Sequence, residues 1–221
     1  MNALLFDLDN TLYDRDESFI RWAQWFVRER LGLHDDSACA ATIDLLVRLD
    51  ANGYGAREAL FREIKQHHPA LTATVEELVA AFYQEHVSAL SLNNATQELL
   101  NALQAAGVPF GIVTNGSPNQ LLKIRQLGLD QRTSCIYVSA IVGVKKPEPA
   151  IFLVAAACLG IPPHGILFVG DNPEPDIVGA ANVGMRTAWL HRGQQWPAHL
   201  GPAPDYTSDS LNNLVTIIGV T

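Results

Sequence analysis

The sequence predicts an α/β protein, a Rossmann-like parallel sheet core interrupted by an all-helical insertion. Three observations carry the prediction. A short apolar run, Ala3 to Phe6, ends directly in two carboxylates, Asp7 and Asp9. From Asp14 to about Leu92, apolar residues recur only with helical spacing. Past Leu92, short apolar runs alternate with helical stretches, the pattern of parallel strands joined by crossovers.

Taking the elements in order, a parallel strand buried on both faces has no place for a charge. Asp7 and Asp9 are therefore expected at its carboxyl end, where open α/β sheets bind ligands. Asp14 with Glu17 makes a capping-box start for a helix that sets Phe19, Trp22, Ala23, Phe26 and Val27 at helical spacing and ends near Gly32. A second helix spans 40–49 and runs into a loop at 50–55, marked by its Asn and Gly content. A third carries Leu60, Phe61 and Ile64 and stops before Pro69. A fourth opens on Thr74 with Glu77 three residues later.

Asn94 with Gln97 then caps a helix ending at Gly107, and 109–113 is a strand ending on Thr114, Asn115 and Gly116. Ser117 and Pro118 fit the N-cap and first position of the next helix, with Gly128 at its end. Residues 135–138 form a strand, 141–146 a loop, and Pro147 and Pro149 lead into a helix ending at Gly160. A strand at 166–169 ends on Gly170, Asp171 and Asn172. A helix closing over 179–184 precedes a strand at 187–190, and a last short strand and helix follow Asp205. The domain boundaries expected are 1–15 with 93–221 for the core and 16–92 for the insertion.

The chain has 221 residues, 48% of them hydrophobic and 17% charged, which is ordinary globular material. A net charge of -8 with no run of Lys or Arg argues against nucleic acid or an anionic membrane surface as partner. Asp7 and Asp9 interrupt any N-terminal apolar run, so no signal peptide is expected and the protein is read as cytoplasmic. Cys39, Cys135 and Cys158 are odd in number and widely spaced, which suggests neither a disulfide framework nor a thiolate metal site; all three are read as small apolar residues.

Four polar sites follow four strands: Asp7 and Asp9, then Thr114, then Lys146, then Asp171 with Asp176. A lone pair of aspartates is more often a turn cap than chemistry. Together, however, Asp7-Leu8-Asp9-Asn10-Thr11, Thr114-Asn115, Lys146-Pro147 and Gly170-Asp171-Asn172 through Asp176 resemble, in order, the motifs of the haloacid dehalogenase (HAD) superfamily phosphohydrolases. The resemblance covers nearly the whole chain and implies a subfamily I member with a helical C1-type cap, close to small-molecule phosphatases and nucleotidases.

Phosphoryl transfer asks for an in-line nucleophile and for positive charge around the phosphoryl oxygens. Asp7 can attack phosphorus to give an aspartyl-phosphate. By analogy with the family, Asp9 is the general acid and base. Thr114 and the backbone amides near Asn115 and Gly116 can donate to phosphoryl oxygens, and Lys146 is the cation assigned to the site. The family uses the lysine directly before the proline, which favours Lys146 over Lys145.

Charge counting points to a metal. Asp7, Asp9, Asp171 and Asp176 against Lys146 would repel a phosphate dianion. A hard dication relieves this, and more so if Asp9 is protonated as the acid, so Mg²⁺ is the cofactor expected. The resemblance implies Asp7 and Asp171 as direct ligands, with the backbone carbonyl of Asp9; Asp176 ligates, orients a water or caps the following helix.

The insertion resembles the family's cap, which closes over the site to exclude water and select substrate. Within it Asn52, Tyr54 and Arg57, around Gly53, are candidate substrate contacts by loop position, with a plain helix-helix connection equally in view. Phe19 and Trp22 are read as core rather than as stacking platforms. The reading is Mg²⁺-dependent hydrolysis of a small phosphomonoester, a nucleoside monophosphate or sugar phosphate, by a monomer or homodimer. The rivals are a 2-haloacid dehalogenase, disfavoured because that branch lacks an acid at the position of Asp9, and a phospho-accepting signalling domain, disfavoured by the helical insertion.

Overall fold

The structure, a computed structural model, describes residues 2–213. They divide into two compact units, residues 2–14 with 91–213 and Arg15–Leu90. The first unit holds a parallel sheet of six strands, β1 (Ala3–Phe6), β2 (Phe110–Thr114), β3 (Ile136–Val138), β4 (Ile166–Gly170), β5 (Arg186–Leu190) and β6 (Tyr206–Ser208), in the order β3-β2-β1-β4-β5-β6. Every residue of β1, β2 and β4 is buried, which accounts for their unbroken apolar sequences. Leu4 pairs with Phe110 on one side and Leu167 on the other, so β1 is central and its end lies between the ends of β2 and β4.

The second unit is built from α1 (Arg15–Trp25), which continues through a wider turn at Phe26–Arg30, α2 (Asp36–Asp50), α3 (Arg57–His67) and α4 (Val75–Ser88). α2 begins earlier than periodicity alone suggests because the Asp35 side chain accepts from the Ala38 amide and caps it. The Thr74 and Glu77 capping box is present at α4. Phe19, Trp22, Phe26, Phe61 and Phe82 fill the interior of this unit, with Trp22 edge-on to Phe82 at 4.7 Å. Cys39 is a buried free thiol among them, as expected of a small apolar residue.

α2 ends on a buried ion cluster. Asp50 accepts both Arg15 guanidinium nitrogens, Arg57 Nη2 at 2.6 Å and the Gly53 amide at 3.0 Å. Burial pushes its carboxyl up, but the hydrogen bonds and charges of Arg15 and Arg57 prevail and hold it below the usual range.

Crossovers in the first unit are α5 (Asn94–Ala105), α6 (Gln120–Gln126), α7 (Ser139–Val142), α8 (Pro149–Leu159) and α9 (Gly179–Asn182), the last entered through a wider turn at Pro173–Val178. Three boundaries differ from expectation. Asn93, not Asn94, caps α5, its side chain accepting from the Thr96 amide at 2.8 Å. α6 starts after Ser117 and Pro118, which form a separate turn closed by the Gln120 amide on the Ser117 carbonyl. A short helix, α7, lies where the loop at 141–146 was expected to begin.

The reading of the cysteines needs correction: Cys135 and Cys158 form a disulfide, with Cα atoms 5.9 Å apart. Their separation of 23 residues carries no such signal; packing α8 against β3 brings them together. β6 is the last strand expected, and the helix after it falls largely outside the described residues. No helix among the described residues is long and apolar enough to cross a membrane.

Candidate active site

The ends of β1, β2 and β4 carry Asp7, Thr114 and, just beyond Gly170, Asp171. The loop before α8 adds Lys146, whose bond to Pro147 is cis. Lys146 is buried, with Nζ 2.6 Å from Asp7 Oδ1 and 2.6 Å from Asp176 Oδ1, while Lys145 is exposed. Asn115 fixes the backbone of Lys146 from both sides: its Nδ2 donates to the Lys146 carbonyl and its Oδ1 accepts from the Lys146 amide, each at 2.9 Å. Asp176 is held by the Asn172 amide at 3.0 Å. A Cβ on Gly170 would overlap the Asp176 carboxylate, which explains a glycine at the end of β4. The Trp189 indole donates to the Asp171 carbonyl at 2.8 Å and steadies that loop.

Asp7, Asp171 and Asp176 each offer an oxygen within 4.8 Å of the others. Burial pushes Asp7 up to about 7, against the pull of Lys146 and with the push of Asp176 and Asp9. Burial likewise pushes Asp171 up to about 8, aided by Asp7 and Asp176. Burial would lower Lys146, but Asp176 and Asp7 raise it, so it stays charged. One buried ammonium therefore leaves the three acids short of positive charge, and an all-oxygen donor set of this kind fits a hard divalent cation.

Asp9 faces a different set of partners. Its Oδ1 accepts from Lys123 Nζ at 2.6 Å and Tyr13 Oη at 2.5 Å, and its Oδ2 accepts from Gln120 Nε2 at 2.5 Å. Burial raises its carboxyl, but the Lys123 charge and these hydrogen bonds outweigh burial and lower it to about 2. The charge count from sequence set all four acids against Lys146 as the site's cation, with protonation of Asp9 as a further relief. Here Asp9 is ionised and Lys123 is a second cation.

Thr114 accepts from Gln120 Nε2 at 2.8 Å, which joins it to Asp9. The Gly116 amide, expected to face a phosphoryl group, donates to Ser139 Oγ at 3.0 Å. Asn52, Tyr54 and Arg57 belong to the helical unit. Ala51 and Asn52 have left-handed φ angles of 47° and 54° and turn the chain between α2 and α3; Tyr54 is 75% exposed. Arg57 is held by Asp50 and lies over the Phe82 ring at 4.8 Å. Sequence reasoning missed Lys123, Gln120 and Ser139. The signal for the first two was their spacing of three on the helix that follows Thr114, which puts both on one face.

Residues 1–184 match the family described as haloacid dehalogenase-like hydrolase. The chain is 33% identical to a phosphoserine phosphatase of Thermus thermophilus over 72% of its own length and 63% of that enzyme's, so this alignment spans under two thirds of the relative. It is 30% identical to an N-acetylmuramic acid 6-phosphate phosphatase of Pseudomonas aeruginosa over 99% of this chain and 95% of the other. Among solved structures it is similar to a HAD phosphatase from Thermococcus onnurineus, with a TM-score of 0.66 and 27% identity, covering 100% of this chain and 99% of that one.

Proposed function

We propose, for a chain that belongs to the haloacid dehalogenase-like hydrolase family, that it hydrolyses a small phosphomonoester with Asp7 as nucleophile and Mg²⁺ as cofactor. The observation that carries the reading is the buried Lys146 ammonium, 2.6 Å from both Asp7 and Asp176, in a cluster where Asp171 adds a third carboxylate. Asp7, Asp171 and Asp176 would hold the cation, with the backbone carbonyl of Asp9 as a further oxygen. When bound, the cation supplies positive charge to the phosphoryl oxygens and keeps Asp7 ionised.

The chain's own groups then have defined tasks. A carboxylate oxygen of Asp7 attacks phosphorus, the bond from phosphorus to the ester oxygen breaks, and Asp9, after taking a proton from solvent with substrate bound, delivers that proton to the departing alkoxide and is left ionised. Water next attacks the aspartyl-phosphate, the bond from phosphorus to the Asp7 oxygen breaks, and the water proton goes to the Asp9 carboxylate. The ionised Asp9 described above is in the form that this second half requires. Lys146 and the Thr114 hydroxyl are assigned to the phosphoryl oxygens, with Asn115 positioning Lys146. Residues 16–92 are assigned to substrate selection, with Asn52, Tyr54 and Arg57 as its contacts.

A nucleoside monophosphate or sugar phosphate is the substrate class proposed, and the relatives' names add a phosphorylated hydroxy amino acid and an acidic amino-sugar phosphate to the panel. Phosphate release from these compounds and from p-nitrophenyl phosphate is to be measured with Mg²⁺ or EDTA. Turnover that requires both Mg²⁺ and Asp7, and is lost in Asp7→Asn, is the expected result. A folded wild type that releases nothing from any ester would overturn the proposal.

A further inference from the structure

Asp9 has three side-chain donors on its two oxygens, and two of them, Lys123 and Gln120, come from one face of α6. Gln120 is 5% exposed and spends its Nε2 on two acceptors, Asp9 Oδ2 and Thr114 Oγ1. One buried amide thereby sets the distance between groups carried by the ends of two different strands. Lys123 Nζ also lies 6.0 Å from the centre of the Tyr13 ring, so Lys123 and Tyr13 reach Asp9 Oδ1 from one side. Gly116 completes the arrangement: a Cβ there would stand 2.7 Å from Gln120 Cγ, closer than real contacts allow. Its φ of 156° is one that side-chain-bearing residues rarely adopt. The glycine after Thr114 and Asn115 thus leaves room for Gln120, while its own amide is taken by Ser139.

We infer that Lys123 and Gln120 are positioning residues that hold the Asp9 carboxylate in the single orientation from which it takes a proton from the water attacking the aspartyl-phosphate. The inference rests on the phosphatase reading above. A carboxylate with donors on both oxygens cannot swing without breaking three hydrogen bonds, and a group that serves the first half-reaction must stay aimed for the second. Lys123 does this by charge and Gln120 by geometry. Their side-chain bonds go to Asp9 and Thr114, and not to the cluster of Asp7, Asp171 and Asp176.

The test uses p-nitrophenyl phosphate, whose leaving group departs without protonation, so that Asp9 is needed only for the second half. Lys123→Met and Gln120→Leu are expected to lower kcat by about ten- to hundred-fold, the scale of general base catalysis. KM should fall in parallel, leaving kcat/KM within about two-fold of wild type, because kcat/KM reports formation of the phosphoenzyme and not its hydrolysis. The phosphoenzyme should accumulate, seen as a phosphate adduct on Asp7 in acid-quenched intact-mass spectra. Lys123→Arg, which keeps the ion pair, is expected to restore most of kcat, and Gly116→Ala to reproduce Gln120→Leu by displacing the amide. Equal losses in kcat and kcat/KM without an adduct, or variants indistinguishable from wild type, would overturn the inference. A wild type with neither turnover nor adduct would instead overturn the phosphatase reading. Melting curves separate these outcomes from misfolding: if Lys123→Met melts early, Gln120→Leu and Gly116→Ala carry the comparison, and no adduct in either sinks the proposal.

Discussion

Raising the pH of the metal-free protein from 5 to 8 is expected to weaken its fold. Burial, against the pull of Lys146 and with the push of Asp176 and Asp9, lifts the Asp7 carboxyl from 3.8 to about 7. Its folded pKa thus lies above its unfolded one, so between the two the folded chain keeps a proton that the unfolded chain has released. Stability is therefore greatest at the acid end of that window and falls as pH climbs through it. Taking 3.8 unfolded and about 7 folded, the loss between pH 5 and 8 is about 2.5 kcal/mol from Asp7 alone. Asp171, raised by burial and by Asp7 and Asp176 to about 8, acts in the same direction; the two share charges, so their contributions are not summed. Asp9 and Asp50 are lowered and remain ionised throughout this range, adding no slope. His68, lowered by burial and by His67, is half-buried at the surface and adds a small slope of opposite sign that ends near its unfolded value of 6.5. The assay is urea unfolding of EDTA-treated protein at pH 5, 6.5 and 8, followed by far-ultraviolet circular dichroism. Millimolar Mg²⁺ at pH 8 should recover the loss, since a cation that binds only the folded, ionised cluster stabilises it by mass action. Metal-free stability that is flat or rising between pH 5 and 8 refutes the reasoning.

Two further outcomes follow from buried groups away from this cluster. Asp50→Asn leaves Arg15 and Arg57 without their shared carboxylate, a loss of about 3–5 kcal/mol for a broken buried pair, or roughly 6–20 °C in Tm for a chain of this size; a calorimetric shift at pH 7 under about 2 °C would contradict it. Cys158→Ser opens the loop between Cys135 and Cys158, a separation of 23 residues. Chain entropy puts its contribution at about 3.5 kcal/mol, so the urea midpoint should fall by a matching amount in the variant and in reduced wild type; an unchanged midpoint in both would show that the crosslink adds nothing.

The strands were legible because each buried one is a largely apolar run, and the polar residues at their ends stood out for the same reason: the carboxylate of Asp7 directly after Phe6, like that of Asp171 just past Gly170, has nowhere to go but the carboxyl end of the sheet. Helix starts were legible where one residue could make the cap, as at Thr74 with Glu77, and shifted where neighbours competed, as Asn93 did with Asn94. The pairing of Cys135 with Cys158 was not legible, because it depends on how α8 lies against β3.

What the sequence determined by itself is local and periodic: the α/β pattern, the helical stretch between the first and second strands, and the residue types Asp7, Asp9, Thr114, Lys146, Asp171 and Asp176 in the segments that follow strands. What only the tertiary structure decided is which of these share charge. Lys146 was expected to serve the whole group of acids, yet it is bonded to Asp7 and Asp176, while Asp9 is matched by Lys123, more than a hundred residues away in sequence. Coulomb interactions between buried groups depend on separations of a few ångströms in a medium that screens poorly, and such separations are set when β1, β2 and β4 pair and α6 packs beside them. A pattern along the chain records which charges exist; the fold decides which of them meet.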